Sequence, residues 1–251
     1  MDLPSDAPLT SQVLFDPALV HTRWLEVTPQ PETTEAAVIE YLQSHSAMIG
    51  SEAQTVEASA VSIAIPIRWK KLAAFLTMDT WQPTHIRLDK VVQHAVPFRT
   101  QLSSRLEIHK LAPAHLLSVE PLFVEQATFH ASLYSTYYRA PTAIDWTTYR
   151  TELSDDFSAP NALNFVCMSG SVPVGMIVAR STAENITVYD IIVSEKFRGK
   201  GIGTALLAEL DSTAKKNAVP LTLETWWNQP ARELYEKSGF VSVAQSYFKS
   251  I

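Results

Sequence analysis

A mixed α/β domain is predicted for residues 105–251, preceded by a smaller α/β region over residues 1–104. Three observations predict it. Strand-like and helix-like segments follow one another regularly after residue 105, and a glycine-rich turn joins one apolar strand directly to a helix. Glycine itself is skewed to that half. Of seven glycines only Gly50 precedes residue 170, the rest being Gly170, Gly175, Gly199, Gly201, Gly203 and Gly239. Glycine gathers where a backbone needs positive φ or close approach, so the tight turns and any ligand loop belong there.

The elements read in order as follows. Leu106–Leu111 alternates like a strand, and Pro113 opens a long apolar-periodic helix to about Leu133, proline being suited to a first helical turn. Asp145 is placed as the N-cap of a second helix through Leu153. Ala162–Met168 and Val174–Ala179 flank the turn Ser169–Pro173 as a hairpin, and Ile186–Val193 is a strongly apolar strand. Thr204–Lys215 reads as a helix, Leu221–Thr225 as a strand, Gln229–Lys237 as a helix and Phe240–Phe248 as a last strand. The order is β-α-α-β-β-β-α-β-α-β.

The N-terminal region is less explicit. Glu35–Gln43 places Val38, Ile39 and Leu42 at helical spacing, and Val56–Ile67 is a strand candidate that Pro66 confines to an edge or end. Arg68–Leu76 is a short helix or strand, and Val96–Ser104 is the candidate linker. Nothing in residues 1–104 carries recognisable chemistry.

Composition excludes several classes. Hydrophobic residues make up 46% and charged residues 18%, as in an ordinary globular protein. A formal net charge of −6 argues against a nucleic-acid partner. The one cysteine, Cys167, lies in an apolar run and reads as a small buried side chain. The N-terminus has no basic start with an apolar core, and no apolar run approaches the roughly 20 residues that span a bilayer. A cytoplasmic protein without a membrane partner is the expectation. The histidines lack metal-ligand spacing, so no metal is expected.

The segment Val193–Ser–Glu–Lys–Phe–Arg198–Gly–Lys–Gly201–Ile–Gly203–Thr204 concentrates the chemistry. A helix start presents unpaired N–H groups and the positive end of its dipole, a setting for phosphate. Gly199, Gly201 and Gly203 let the chain curl around an anion, and Arg198 and Lys200 add positive charge. A P-loop is excluded because Gly-x4-Gly-Lys-[Ser/Thr] is not met. The dinucleotide fingerprint fails because Thr204 and Leu206 stand where its third glycine would be.

Arg198-Gly-Lys-Gly201-Ile-Gly203 resembles the Arg/Gln-x-x-Gly-x-Gly/Ala signature of the GCN5-related N-acetyltransferase (GNAT) family. Asn228-Gln-Pro-Ala231-Arg-Glu-Leu-Tyr235-Glu-Lys-Ser-Gly239-Phe240 resembles that family's second signature, and a strand separates the two as it should. The resemblance covers about residues 105–251. It implies a central mixed, mostly antiparallel sheet flanked by helices, and acetyl transfer from acetyl-CoA to a primary amine.

By the same resemblance, Arg198, Gly199, Lys200, Gly201, Ile202, Gly203 and Thr204 bind the CoA pyrophosphate. Ile192 and Val193 hydrogen-bond the pantetheine as an added strand beside a bulge that splays the sheet, Val193 also polarising the thioester carbonyl. Asn228 contacts the pantetheine arm or caps the following helix. Tyr235 protonates the leaving thiolate, or else packs on Leu234 and Phe240. The usual base is a glutamate near Tyr189; here the candidates are Asp190, Glu184 and Glu224, with Asp190 preferred although strand alternation can turn it away. Trp226, Trp227, Tyr134, Tyr137, Tyr138 and Arg139 are candidates for lining an acceptor pocket or for packing.

The expected partner is a small-molecule or peptide amine. A rival reading keeps the fold as a non-catalytic acyl-CoA sensor. Residues 1–104 are read as a homodimerisation or binding module, or as a degenerate copy of the same fold without a CoA loop.

Overall fold

The protein is described here by a computed structural model covering residues 7–15, 23–55, 58, 60–91, 102–133, 142, 146–226 and 228–250. The chain forms two compact units, one of Met1–Arg87 with Thr225–Gln229 and Ser242–Ile251, the other of Leu88–Glu224 with Pro230–Val241. Among the described residues no helix is long and apolar enough to cross a membrane.

In the first unit, β1 (Leu9–Phe15) and β2 (Arg23–Pro29) form an antiparallel pair. Helix α1 (Glu35–Thr55) crosses to β3 (Ala60–Pro66), which runs parallel to β2. Helix α2 (Lys70–Met78) leads to β4 (Gln82–Lys90), and the C-terminal strand β10 (Val241–Ser250) pairs antiparallel with β3. Val38, Leu42, Ile49 and Ala53 repeat at helical spacing on α1 and pack with Ile63, Ile65, Leu72 and Leu76 in one apolar core. The helix predicted over Glu35–Gln43 thus extends by a further stretch rich in small and polar residues. The segment Arg68–Leu76 resolves as a helix, and most of the candidate linker falls outside the described residues.

The second unit begins with β5 (Leu106–Lys110), a 3₁₀ turn over Pro113–His115 and α3 (Leu116–Leu133). Helix α4 (Trp146–Ser158) follows; its predicted cap, Asp145, lies outside the described residues. Next come β6 (Phe165–Ser169), β7 (Val172–Ser181) and β8 (Ile186–Val193), antiparallel in series from β5. Helix α5 (Ile202–Asn217) crosses to β9 (Leu221–Trp226), which is parallel to β8, and α6 (Ala231–Lys237) precedes β10. This is the predicted β-α-α-β-β-β-α-β-α-β order, with a mostly antiparallel sheet carrying one parallel pair.

Sequence explains the local choices. β8 is rich in β-branched residues, and Gly170, at φ +61°, turns the β6–β7 hairpin. On α5 the buried set Ile202, Ala205, Leu206, Leu210 and Ala214 forms one stripe. On the other side of the sheet, α3 and α4 contribute Val119, Leu122, Phe123, Leu153 and Phe157 to a core with Val166, Met176, Val178 and Ile192. An Arg150–Glu120 fork, both hydrogen bonds 2.7 Å, fixes α4 on α3. Cys167 is fully buried, and burial pushes its thiol above the usual range, as befits a core residue.

Element order is repeated along the chain. β1-β2-α1-β3-α2-β4 and β7-β8-α5-β9-α6-β10 each run as an antiparallel hairpin, a helix, a strand parallel to the hairpin's second strand, a helix and a strand. The openings of the first helices differ. Thr34 accepts the Ala37 N–H at 3.3 Å before α1, and the Glu35 carboxylate accepts the Leu72 N–H at 2.7 Å. No glycine occurs there.

Lys90 is 1% exposed and its Nζ lies 3.0 Å from Asp211 Oδ1 on α5, whose Oδ2 is 2.6 Å from Lys215. Burial pulls the Lys90 ammonium below its ordinary value, and Asp211 opposes that pull. Removing the carboxylate takes its countercharge from a buried cation, so Asp211→Asn should cost about 3 kcal/mol or more, read from the urea midpoint. The double variant Lys90→Met/Asp211→Leu should recover most of that loss.

Candidate active site

The turn after β8 is a glycine-shaped cradle. A 3₁₀ turn over Glu195–Phe197 is followed by Gly199 at φ +73° and Gly201 at φ +79°, the latter occupying the cap position of α5. The first intrahelical bond runs from the Ala205 N–H to the Gly201 carbonyl, 3.0 Å, leaving the amides of Ile202, Gly203 and Thr204 as the helix's first-turn donors. Gly201 has no side chain to cover them, and they carry the positive end of a helix running from Ile202 to Asn217.

Close packing sets this helix end against its neighbours. A Cβ on Gly203 would sit 3.2 Å from Leu234 Cδ2 of α6. A Cβ on Gly175 of β7 would meet Ile202 Cγ2 at 2.8 Å and the Ile192 carbonyl oxygen at 3.1 Å. Gly175 was not singled out by its sequence. The available signal was a glycine inside a strand pattern, which marks close backbone approach.

Arg198 is tied inward. Its Nε donates to the Val193 carbonyl at 3.1 Å, its guanidinium stands 3.7 Å from Glu125, and it lies 5.1 Å from the Phe129 ring centre. Glu125 also accepts the Glu195 backbone N–H. Lys200 is exposed and sits 4.4 Å from the centre of the Phe197 ring.

At mid-strand β8 carries an extra residue. β7 pairs Val178 with Asp190 and then Ala179 with Val188, so Tyr189 is bulged out, at 57% exposure. The parallel pairs with β9 run from Ile186–Leu221 to Val188–Leu223, and among the described residues they end there. Beyond the bulge, Ile192 joins the core with α3, while Ile191 and Val193 approach the Gly203 side.

Asp190, half-buried, therefore points to the α3 side, where its Oδ1 accepts the Gln126 Nε2–H at 2.8 Å. Tyr235 of α6 is 4% exposed, its ring 6.0 Å from that of Phe240 at an interplanar angle of 65°. Burial, and then the Asp190 charge, push its phenol above the usual range, so it stays protonated at neutral pH. Asp190 is near enough for its charge to act on the Tyr235 phenol. Glu184, by contrast, is exposed in the Thr182–Asn185 turn, and Glu224 is exposed on β9. Burial holds His130 of α3 down to about 4, leaving it neutral.

The acetyltransferase (GNAT) family model matches residues 129–240, spanning β6–β9, the glycine cradle and α6. The chain carries a GNAT-family domain. Among curated relatives, the ribosomal protein bS18-alanine N-acetyltransferase of Haemophilus influenzae is 29% identical over 89 residues. That match covers 34% of this chain and 61% of the relative, so less than two thirds of the relative's length is represented. A GCN5-related N-acetyltransferase from Sphaerobacter thermophilus superposes with a TM-score of 0.65 at 15% identity, over 97% of this chain and 76% of that one. A tandem GNAT protein from the clavulanic acid biosynthesis pathway gives 0.57 at 12% identity, over 99% and 77%. A functionally unknown Staphylococcus epidermidis protein gives 0.64 at 14%, over 100% and 94%. These likenesses establish the fold.

The remaining predicted residues of the GNAT domain and its surroundings fall out unevenly. Asn228 is exposed in the turn before α6, whose cap position is Pro230. Trp226 is 4% exposed and packs on His85 at 4.4 Å between ring centres, a packing role. Trp227, Tyr134, Tyr137, Tyr138 and Arg139 lie outside the described residues. Among the described residues no group of three or more His, Cys, Asp or Glu is placed to hold a metal ion.

Proposed function

We propose that this protein transfers the acetyl group of acetyl-CoA to a primary amine, directly and within a ternary complex. The observation that carries the reading is the cradle of left-handed Gly199 and Gly201 opening α5 immediately after a bulged strand. Amides of Ile202, Gly203 and Thr204 suit the CoA pyrophosphate, with Gly199, Lys200 and Gly201 shaping the turn around it. Arg198, held on Val193 and Glu125, serves that turn's geometry as well as its charge. Ile192 and Val193 offer backbone to the pantetheine, and Val193 is placed to polarise the thioester carbonyl.

The chemistry divides between two residues. Asp190 accepts a proton from the acceptor ammonium, directly or through water, freeing the nitrogen lone pair. Nitrogen attacks the thioester carbon; the C–S bond breaks, and Tyr235 gives its proton to the departing thiolate. The phenolate recovers a proton by way of Asp190, and the second proton of the attacking nitrogen passes to water, leaving an amide and free CoA. Asn228 remains our candidate for the pantetheine arm. The acceptor is assigned only as a small-molecule or peptide amine.

The test is calorimetry with acetyl-CoA, followed by CoA release across an amine panel. One molecule bound per chain is expected, because the start of α1 holds Glu35 and no glycine. No binding by the wild type sinks the reading. Binding without turnover on any amine favours an acyl-CoA sensor, a reading supported by Tyr189 standing near the position where the family's glutamate is usual. Residues 1–104 enter this proposal as a degenerate copy of the fold, on the repeated element order; deleting them and measuring oligomeric state separates that role from dimerisation.

A further inference from the structure

The geometry points to α3 as a brace that holds both halves of the site, Glu125 fixing the donor cradle and its neighbour Gln126 fixing Asp190. Three side chains of one helix converge on that task. The Glu125 carboxylate accepts the Glu195 N–H and faces the Arg198 guanidinium. One turn later, Phe129 lies under the same guanidinium. Gln126 donates to Asp190 just past the bulge of β8. The helix is itself anchored, through buried Val119, Leu122 and Phe123 and through the Glu120–Arg150 fork on α4.

Coulomb attraction at this exposure is weak, since Glu125 and Arg198 keep 33% and 44% of their side-chain surface. Position is what the contacts supply. Glu125 satisfies the first amide of the turn after β8, and Arg198 carries that restraint back to the Val193 carbonyl. The turn that must present Ile202, Gly203 and Thr204 to a pyrophosphate is thus tied to α3 at two points. For Asp190, the Gln126 donor on one carboxylate oxygen fixes its rotamer. Glu125 and Gln126 are positioning residues, and neither touches the reacting atoms. The inference rests on the acetyl-CoA reading for its functional consequence, though not for its structural one.

Substitutions one residue apart should therefore separate affinity from turnover. In Glu125→Ala, amide exchange across Ser194–Thr204 without ligand should quicken about tenfold, and acetyl-CoA affinity measured by calorimetry should fall about tenfold. Glu125→Gln keeps an acceptor oxygen and should restore most of both. Gln126→Leu should leave exchange and acetyl-CoA affinity within about twofold, while thiol release from acetyl-CoA, with water or propylamine as acceptor, drops roughly tenfold or more. Unchanged exchange in Glu125→Ala, or equal losses of affinity in both variants, overturns the brace. A wild type that binds no acetyl-CoA, with exchange nonetheless faster in Glu125→Ala, overturns only the acetyl-CoA reading.

Discussion

Acetyl-CoA affinity is expected to fall at least about a hundredfold when Gly201 is replaced by valine. Gly201 sits at φ +79° in the cap position of α5, a conformation that a β-branched residue reaches only at a cost on the order of 1–3 kcal/mol. Relief of that strain moves the cap out of the left-handed region and swings the Ile202, Gly203 and Thr204 amides off their common focus. Each charge-assisted bond from an amide to a phosphate oxygen is worth about 1.5–3 kcal/mol, so losing two accounts for the expected change. Gly170→Val is the matched control. Gly170 holds φ +61° in the β6–β7 turn, with nothing near its Cβ position, so the backbone penalty is similar while the residue lies outside the turn that opens α5. Both variants should melt lower than the wild type, and only Gly201→Val should lose the ligand in calorimetry. A Gly201→Val protein binding within about tenfold of the wild type refutes the assignment of this turn to the donor.

The cradle could be read from the sequence because every part of it is local. An apolar strand, positive-φ glycines and a helix start lie within consecutive residues, and periodicity locates each of them. The same holds for the hairpin at Gly170 and the buried stripe of α5. Elements that escaped do so for physical reasons. β4 alternates buried and exposed positions, but its inward set ends in Lys90, whose charge is paired with Asp211, a residue far along the chain. β1 mixes polar residues into its run, so alternation alone does not mark it. In the sequence Asp190 is the preferred base, although strand alternation can turn it away from the site. The bulge at Tyr189 resets that alternation, and bulges leave no composition signal in a β-branched run. Its partner Gln126 lies 64 residues away and meets it only through the packing of α3 on β8.

Tyr235→Phe should lower turnover by about a hundredfold or more while leaving acetyl-CoA affinity near the wild-type value. The substitution removes one oxygen from a side chain that is 4% exposed and packed on Phe240, so the fold should persist. The phenol's raised pKa makes it a weak acid in the free protein. Once Asp190 has taken the acceptor's proton, the charge that helps to raise the phenol's pKa is gone, and transfer from Tyr235 to the thiolate is eased. Stability supplies an independent reading. A tyrosine whose folded pKa exceeds its unfolded value of about 10 binds its proton more tightly when folded. The stability so gained is complete below about pH 10 and is lost as pH climbs from there towards the folded pKa. Wild type minus Tyr235→Phe should accordingly be flat in unfolding free energy from about pH 6 to 9 and decline above about pH 10. If that difference is flat throughout and turnover is unchanged, Tyr235 is packing on Phe240 and Leu234 and nothing more, and the proton for the leaving thiolate comes from elsewhere.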